Sequence, residues 1–170
     1  MKKIYGLLLS ILLVSSAYGL TYELKAGMSP NFLQNDGLYF NMALDVYGES
    51  RSILQPGIGV IFAQFAGDAD VGNVDAGVST TFNKLPVYGI AKFNLLEIGG
   101  PVLFLKAFGG WQFINKTNIK SKGGLYYGYG GGIDISRVSI EYFITKENYE
   151  YTNGTTYDGT FGTVGLGFKF

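Results

Sequence analysis

The chain has 170 residues, with 13 basic and 13 acidic side chains and neither cysteine nor histidine. That composition excludes a disulfide-stapled secreted domain, Ser–His–Asp chemistry and histidine-ligated metal sites, and it offers nucleic acid no basic surface. With 26 glycines, 16% aromatics and apolar residues dispersed rather than blocked, it points to strands.

Lys2 and Lys3 precede an apolar run over residues 4–14, which gives way to Ser15, Ser16, Ala17, Tyr18 and Gly19. This is the pattern of a secretory signal peptide, with Ala17 and Gly19 at the two positions that must be small for cleavage. The cut is expected after Gly19, leaving a signal peptide over 1–19 and a single domain over 20–170. A membrane anchor is the rival reading, but the run is about half of the ~20 residues a spanning helix needs. Cleavage removes two lysines and no acid, so the mature chain carries two more acids than bases.

Beyond the leader, period-two alternation, which sends successive side chains to opposite faces of a strand, can be followed eight times. The first segment sets Tyr22, Leu24, Ala26 and Met28 against Thr21, Glu23, Lys25 and Gly27. The second sets Leu38, Phe40, Met42, Leu44 and Val46 against Tyr39, Asn41, Ala43 and Asp45, and the third sets Leu54, Ile58, Val60 and Phe62 against Gly57, Gly59 and Ala63. Pro56 cannot donate to a ladder, so a bulge or a late strand start is expected there. The fourth runs from Val74 to Leu95 and changes parity on the way, for which a one-residue bulge near Pro86 is expected. The fifth sets Leu103, Leu105, Ala107, Trp111 and Phe113 against Phe104, Lys106, Phe108 and Gln112. The sixth alternates Leu125, Tyr127, Tyr129, Ile133 and Ile135 with Tyr126, Gly128, Gly130, Gly132 and Asp134. The seventh opposes Val138, Ile140, Tyr142 and Ile144 to Ser139, Glu141, Phe143 and Thr145, and the last opposes Val164, Leu166, Phe168 and Phe170 to Thr163, Gly165, Gly167 and Lys169. Short connections near 48–52, 96–100 and 136–137 alternate with longer ones over 29–37, 66–73, 114–123 and 146–158.

This spacing predicts an all-β fold: an eight-stranded antiparallel up-and-down transmembrane β-barrel with both termini periplasmic and four longer extracellular loops. The charges decide which face meets lipid. Glu23, Lys25, Asp45, Lys92, Lys106, Asp134, Glu141 and Lys169 all lie opposite the apolar residues, and a cation at the bilayer midplane on the lipid side costs about 2–4 kcal/mol. The apolar face must therefore be the outer one; a soluble ligand-carrying barrel would reverse the arrangement. Inside, Asp45, Lys92, Lys106, Asp134 and Glu141 are expected to form a charge network that joins opposite walls and blocks conduction, while Glu23, Lys25 and Lys169 are expected in water near the barrel ends. Gly128, Gly130 and Gly132 would leave room for inward Tyr39, Tyr88, Phe104, Phe108 and Phe143. Tyr22, Trp111, Phe113, Tyr127, Phe168 and Phe170 suit interfacial girdles.

The ending Thr163-Val-Gly-Leu-Gly-Phe-Lys-Phe170 resembles the β-signal of outer-membrane barrels, and residues 85–94 and 102–111 are similar to the fourth and fifth strands of small opacity-protein and OmpX-like barrels. The resemblance implies that Val164, Leu166, Phe168 and Phe170 are read by the barrel-assembly machinery, with periplasmic chaperones as earlier partners and outer-membrane lipids as the surroundings. Enzymes of this architecture rely on histidine, which this chain lacks, so no catalytic residue, metal or cofactor is expected. Asp134 with Glu141 is the remaining carboxylate pair, each more simply neutralised by a lysine. Asp68, Asp70 and Asp75 match no complete calcium loop. The expected role is that of a non-enzymatic structural envelope barrel in the bacterial outer membrane, with loops contacting host or other cell surfaces. Tyr149, Tyr151 and Tyr157 in the last long loop are the contact candidates, since tyrosine gives large area at low entropic cost. The alternative is a narrow channel or carrier for small solutes or apolar compounds.

Overall fold

Alternating apolar and polar or small residues form strands because each face then meets a single environment. A computed structural model of the protein describes residues 19–30, 38–48, 53–67, 78–79, 84–114, 121–151 and 156–170. The elements are β1 (Thr21–Pro30), β2 (Leu38–Tyr47), β3 (Leu54–Gly67), β4 (Val78–Ser79), β5 (Lys84–Glu97), β6 (Val102–Ile114), β7 (Ser121–Ile135), β8 (Val138–Tyr151) and β9 (Thr156–Lys169). β4 is a two-residue bridge against Ala66 and Gly67 of β3. The other eight are the wall, each antiparallel to its neighbours, and β1 pairs with both β2 and β9, closing the ladder. The fold is thus an eight-stranded closed antiparallel barrel.

Two tight turns share one rim. At 98–101 the Ile98 N–H donates to the Pro101 carbonyl at 2.8 Å, with Gly99 and Gly100 at φ 61° and 117°, a conformation glycine adopts without strain. At 136–137 Ser136 has φ 55°, and the Arg137 carbonyl accepts from the Lys169 N–H. Thr21 and Phe170 lie at this same turn-side rim; the strand ends at Pro30, Leu38, Ile114, Ser121, Tyr151 and Thr156 lie at the other, loop-side rim.

Several expectations are corrected. The register runs through Pro86 without a shift, and the irregularity lies between Asn94 and Leu96 instead. Pro86 falls just past the end of the β3–β5 ladder, so its missing N–H interrupts nothing on that side. Pro56 likewise pairs with Ala91 in register, and only the β2 ladder starts after it, at Gly57. A bulge does occur in β3, where Phe62 is skipped between the partners of Met42 and Ala43. The loop expected over 146–158 is largely ladder: Tyr149 and Tyr151 belong to β8, Tyr157 to β9, and Tyr149 stands opposite Tyr157. Hairpin pairing needs no apolar outer face to continue, so the strands run on past the apolar residues. The signal peptide, apart from Gly19, the acids Asp68, Asp70 and Asp75, and residues 74–82 other than Val78 and Ser79 lie outside the described residues.

Candidate functional site

The lumen is where this chain concentrates its chemistry. Glu23, Lys25, Asp45, Lys92, Lys106, Asp134 and Glu141 are all buried there, and Lys169 is half-buried. Each is placed by the pleat, since it stands at an alternate position whose neighbours point outward.

Four of them close a ring. Lys25 Nζ lies 2.6 Å from Asp45 Oδ2 and 3.0 Å from Glu141 Oε1, while Lys106 Nζ lies 3.2 Å from Asp45 Oδ2 and 3.0 Å from Glu141 Oε2. Charges of opposite sign alternate around the ring, and its members come from β1, β2, β6 and β8. Asp45 is further held by hydroxyl donors, Tyr47 to Oδ2 and Tyr88 to Oδ1, each at 2.8 Å, and Lys106 donates to Tyr47 Oη at 3.1 Å. Ions removed from water are tolerated only when paired and hydrogen-bonded in this way. Lys106 also sits 4.5 Å from the Phe143 ring centroid, within cation–π range.

A second cluster lies nearer the turn-side rim. Asp134 Oδ2 takes Lys92 Nζ at 2.7 Å and Lys169 Nζ, and the Ser139 hydroxyl donates to Glu23 Oε1. Lys92 and Lys106 are direct cross-strand partners, a like-charge pair that would repel. They are relieved by turning to different acids, and Lys92 lies 4.0 Å from the Phe104 ring centroid. The two clusters together contain four acids and four bases and are neutral.

Towards the loop-side rim, rings take over from the ion clusters, with Glu147 of β8 also buried there. Phe108 packs against Tyr88, Tyr126 and Phe143 with centroid separations of 5.3, 5.6 and 5.6 Å, the last edge-on, an arrangement favoured by ring quadrupoles. Glycines on the facing strand make room. A Cβ on Gly128 would come 2.5 Å from Phe108 Cζ, and one on Gly132 would come 2.7 Å from Phe104 Cζ. Between ring and aromatics a cavity of about 30 Å³ remains, lined by Lys25, Asn41, Tyr88, Glu141, Phe143 and Thr163 among others. That is space for a water or two. The turn-side mouth opens into a wider recess of about 590 Å³, bordered by Thr21, Val102, Asp134, Arg137, Lys169 and Phe170.

The structure therefore brings Asp45, Lys106 and Glu141 into one cluster and Lys92 and Asp134 into another. Lys25 and Glu23, expected in water at the barrel end, are instead enclosed, because the four-carbon stem of Lys25 reaches acids on β2 and β8 and Ser139 meets Glu23 from β8. Asp134 and Glu141 do not form a carboxylate pair; each answers to lysines. The alternation as read from the sequence ends the second strand at Val46 and so passes over Tyr47, which the odd-numbered series of Asn41, Ala43 and Asp45 carries inward. Val164, Leu166, Phe168 and Phe170 all point outward from the β9 end of the wall. Tyr22 is buried rather than exposed, stacked on Phe170 at 5.9 Å. The side chains of Tyr39, Tyr149, Tyr151 and Tyr157 lie outside the described set.

Both oxygens of Asp45 and of Glu141 accept from donors within the lumen, so the cluster ties β1, β2, β5, β6 and β8 to one another. Comparison with protein-family models and with curated proteins returns no match. Among solved structures the chain is similar to a major outer membrane protein from Thermus thermophilus, at 12% identity and a TM-score of 0.38, over 89% of this chain and 99% of that one.

Proposed function

We propose that the protein is a non-enzymatic structural barrel of a bacterial outer membrane, with a closed lumen and its loop-side rim turned outward to other cells or host surfaces. The observation that carries this reading is the outer wall. Exposed large apolar residues occur on all eight long strands, among them Leu24, Phe40, Ile58, Val87, Leu105, Leu125, Ile140 and Leu166. A water-soluble monomer rarely exposes more than a few hundred Å² of contiguous apolar surface. The exposed ions Arg137, in the turn before β8, and Lys146, on β8, bracket the apolar Val138, Ile140 and Tyr142. At about 3.4 Å per residue and a tilt near 40°, that interval is roughly 23 Å tall, matching the ~25 Å apolar band of outer-membrane barrels. Trp111, Phe113 and Tyr127 fall at its loop-side border and Phe168 and Phe170 at its turn-side border, where interfacial aromatics belong.

The sealed reading rests on the charge ring and the aromatic layer, which succeed one another along the lumen. A channel or carrier would need a path past both. Reconstitution into planar bilayers tests the choice: the wild type is expected to give no stable single-channel steps, and steady, sizeable steps would replace the structural role with a conducting one. In this reading Val164, Leu166, Phe168 and Phe170 present the outward pattern that assembly machinery would read. The ladder that carries Tyr149, Tyr151 and Tyr157 is the contact surface. Shortening β8 and β9 at that end should lower cell binding and leave barrel stability unchanged; undiminished binding would remove the contact role.

A further inference from the structure

The seam between the first and last strands is held differently from the long ladders of the wall. The β1–β9 ladder runs from Glu23↔Lys169 to Met28↔Val164, extended by reciprocal backbone bonds between Tyr22 and Phe170, and β3–β5 is about as short, from Leu54↔Phe93 to Val60↔Val87, whereas β8–β9 runs from Val138↔Phe168 to Glu150↔Thr156. What the seam lacks in backbone pairing it recovers in the lumen. Glu23 of β1 accepts from Ser139 of β8, Lys25 of β1 pairs with Glu141 of β8 at 3.0 Å, and the Ser29 and Thr163 hydroxyls are 2.5 Å apart.

The first two bonds pass over β9 altogether, and they can do so only because the residues beneath them are glycines. Gly167 is the partner of Lys25 on one side and Ser139 on the other, and Gly165 is the partner of Gly27 and Glu141. A Cβ on Gly167 would run into both Ser139 Oγ and the Glu23 carboxylate, and one on Gly165 would lie 3.3 Å from Glu141 Oε1. Gly109 on the outer wall differs: a Cβ there would meet nothing closer than 3.8 Å.

We propose that this seam is a latch, in which side chains of β1 reach across Gly165 and Gly167 to grip β8, and that it is the place where the wall parts first. Charged hydrogen bonds across a short ladder make its opening depend on a few side chains, while long ladders such as β5–β6 and β8–β9 depend on backbone. The latch engages only once β1 has docked on β9, so the lumen charges are paired by closure itself.

Amide hydrogen exchange of the full-length mature barrel in detergent tests this. Ser139→Ala should speed exchange of the β1 and β9 seam amides about tenfold, the loss expected from one charged hydrogen bond, and leave the β5–β6 amides unchanged. Gly167→Ala should do the same, and Gly109→Ala should not. The pair Ser29→Ala with Thr163→Val removes a staple without stranding a charge, and so keeps the test open if Ser139→Ala does not fold; it should loosen the seam by a smaller factor. Seam amides that stay as protected in these variants as in the wild type, or that loosen only together with β5–β6, would overturn the latch.

Discussion

The turn-side half of the lumen is filled by Glu23, Lys25, Asp45, Lys92, Lys106, Asp134 and Glu141, each tied to a partner of opposite charge or a hydroxyl, whereas the loop-side half is filled by the rings of Tyr88, Phe108, Tyr126 and Phe143. Both solve one problem, that an eight-strand interior must be filled by side chains, but they answer to different energetics. Ions in a low-dielectric interior are costly singly and tolerated only as complete sets. Rings contribute through packing, tolerate partial loss, and need glycine opposite them. The difference predicts that the charged half fails abruptly and the aromatic half by degrees.

The largest effect is expected at Asp45, which joins both lysines of the ring and both tyrosine hydroxyls. Asp45→Asn should cost about 3–5 kcal/mol, the penalty for stranding buried partners, read as a fall in the urea unfolding midpoint in lipid vesicles. Replacing Lys25, Asp45, Lys106 and Glu141 together by Met, Leu, Met and Leu should cost much less than the single change. If the fourfold variant is the less stable of the two, the ring supplies net stability and the contrast between the halves is wrong as drawn.

On the outer wall, Ile140→Lys should cost about 2–4 kcal/mol in vesicles, as a cation placed towards the midplane on the lipid face does. A barrel bathed in water at that position would show no change. In the aromatic half, Gly128→Ala pushes a methyl against Phe108 and the Ile144 carbonyl. A loss of about 1–3 kcal/mol is expected, typical of overpacking, with Gly109→Ala as the neutral counterpart.

What could be read in the sequence follows from the same contrast. Period two betrays which wall a residue faces, because the apolar outer wall and the polar lumen take different chemistry at every step. Ile133 against Asp134 and Leu105 against Lys106 are legible for that reason. Cross-lumen partners are not, because alternation says nothing of which strands stand opposite, so Lys25 could not be joined to Glu141. Strand ends stay hidden where the apolar outer face stops: beyond Lys146 the ladder continues to Tyr151 with Asn148, not an apolar residue, at the next outward position to mark it. The change of parity before Pro86 suggests one bulged strand, but the stretch before it belongs in part to a separate bridge, β4, and the bulges fall at Phe62 and near Asn94, where no proline signals them.

The smallest effect sharpens the contrast from the other direction. Gln112 stands near the loop-side end of β6, buried, with neither amide atom hydrogen-bonded among the described residues. It is a polar group in the half of the lumen that holds the ring cluster, where Thr145, Glu147 and Thr163 are buried as well. An unsatisfied buried amide costs about 1–3 kcal/mol, and an apolar group of like shape removes that penalty. Gln112→Met, similar in length and flexible enough to fill the same space, should therefore raise the unfolding free energy by about 1 kcal/mol. A loss of stability instead would mean that the amide works in concert with a polar partner, and that the loop-side half, like the other, depends on complete hydrogen bonding.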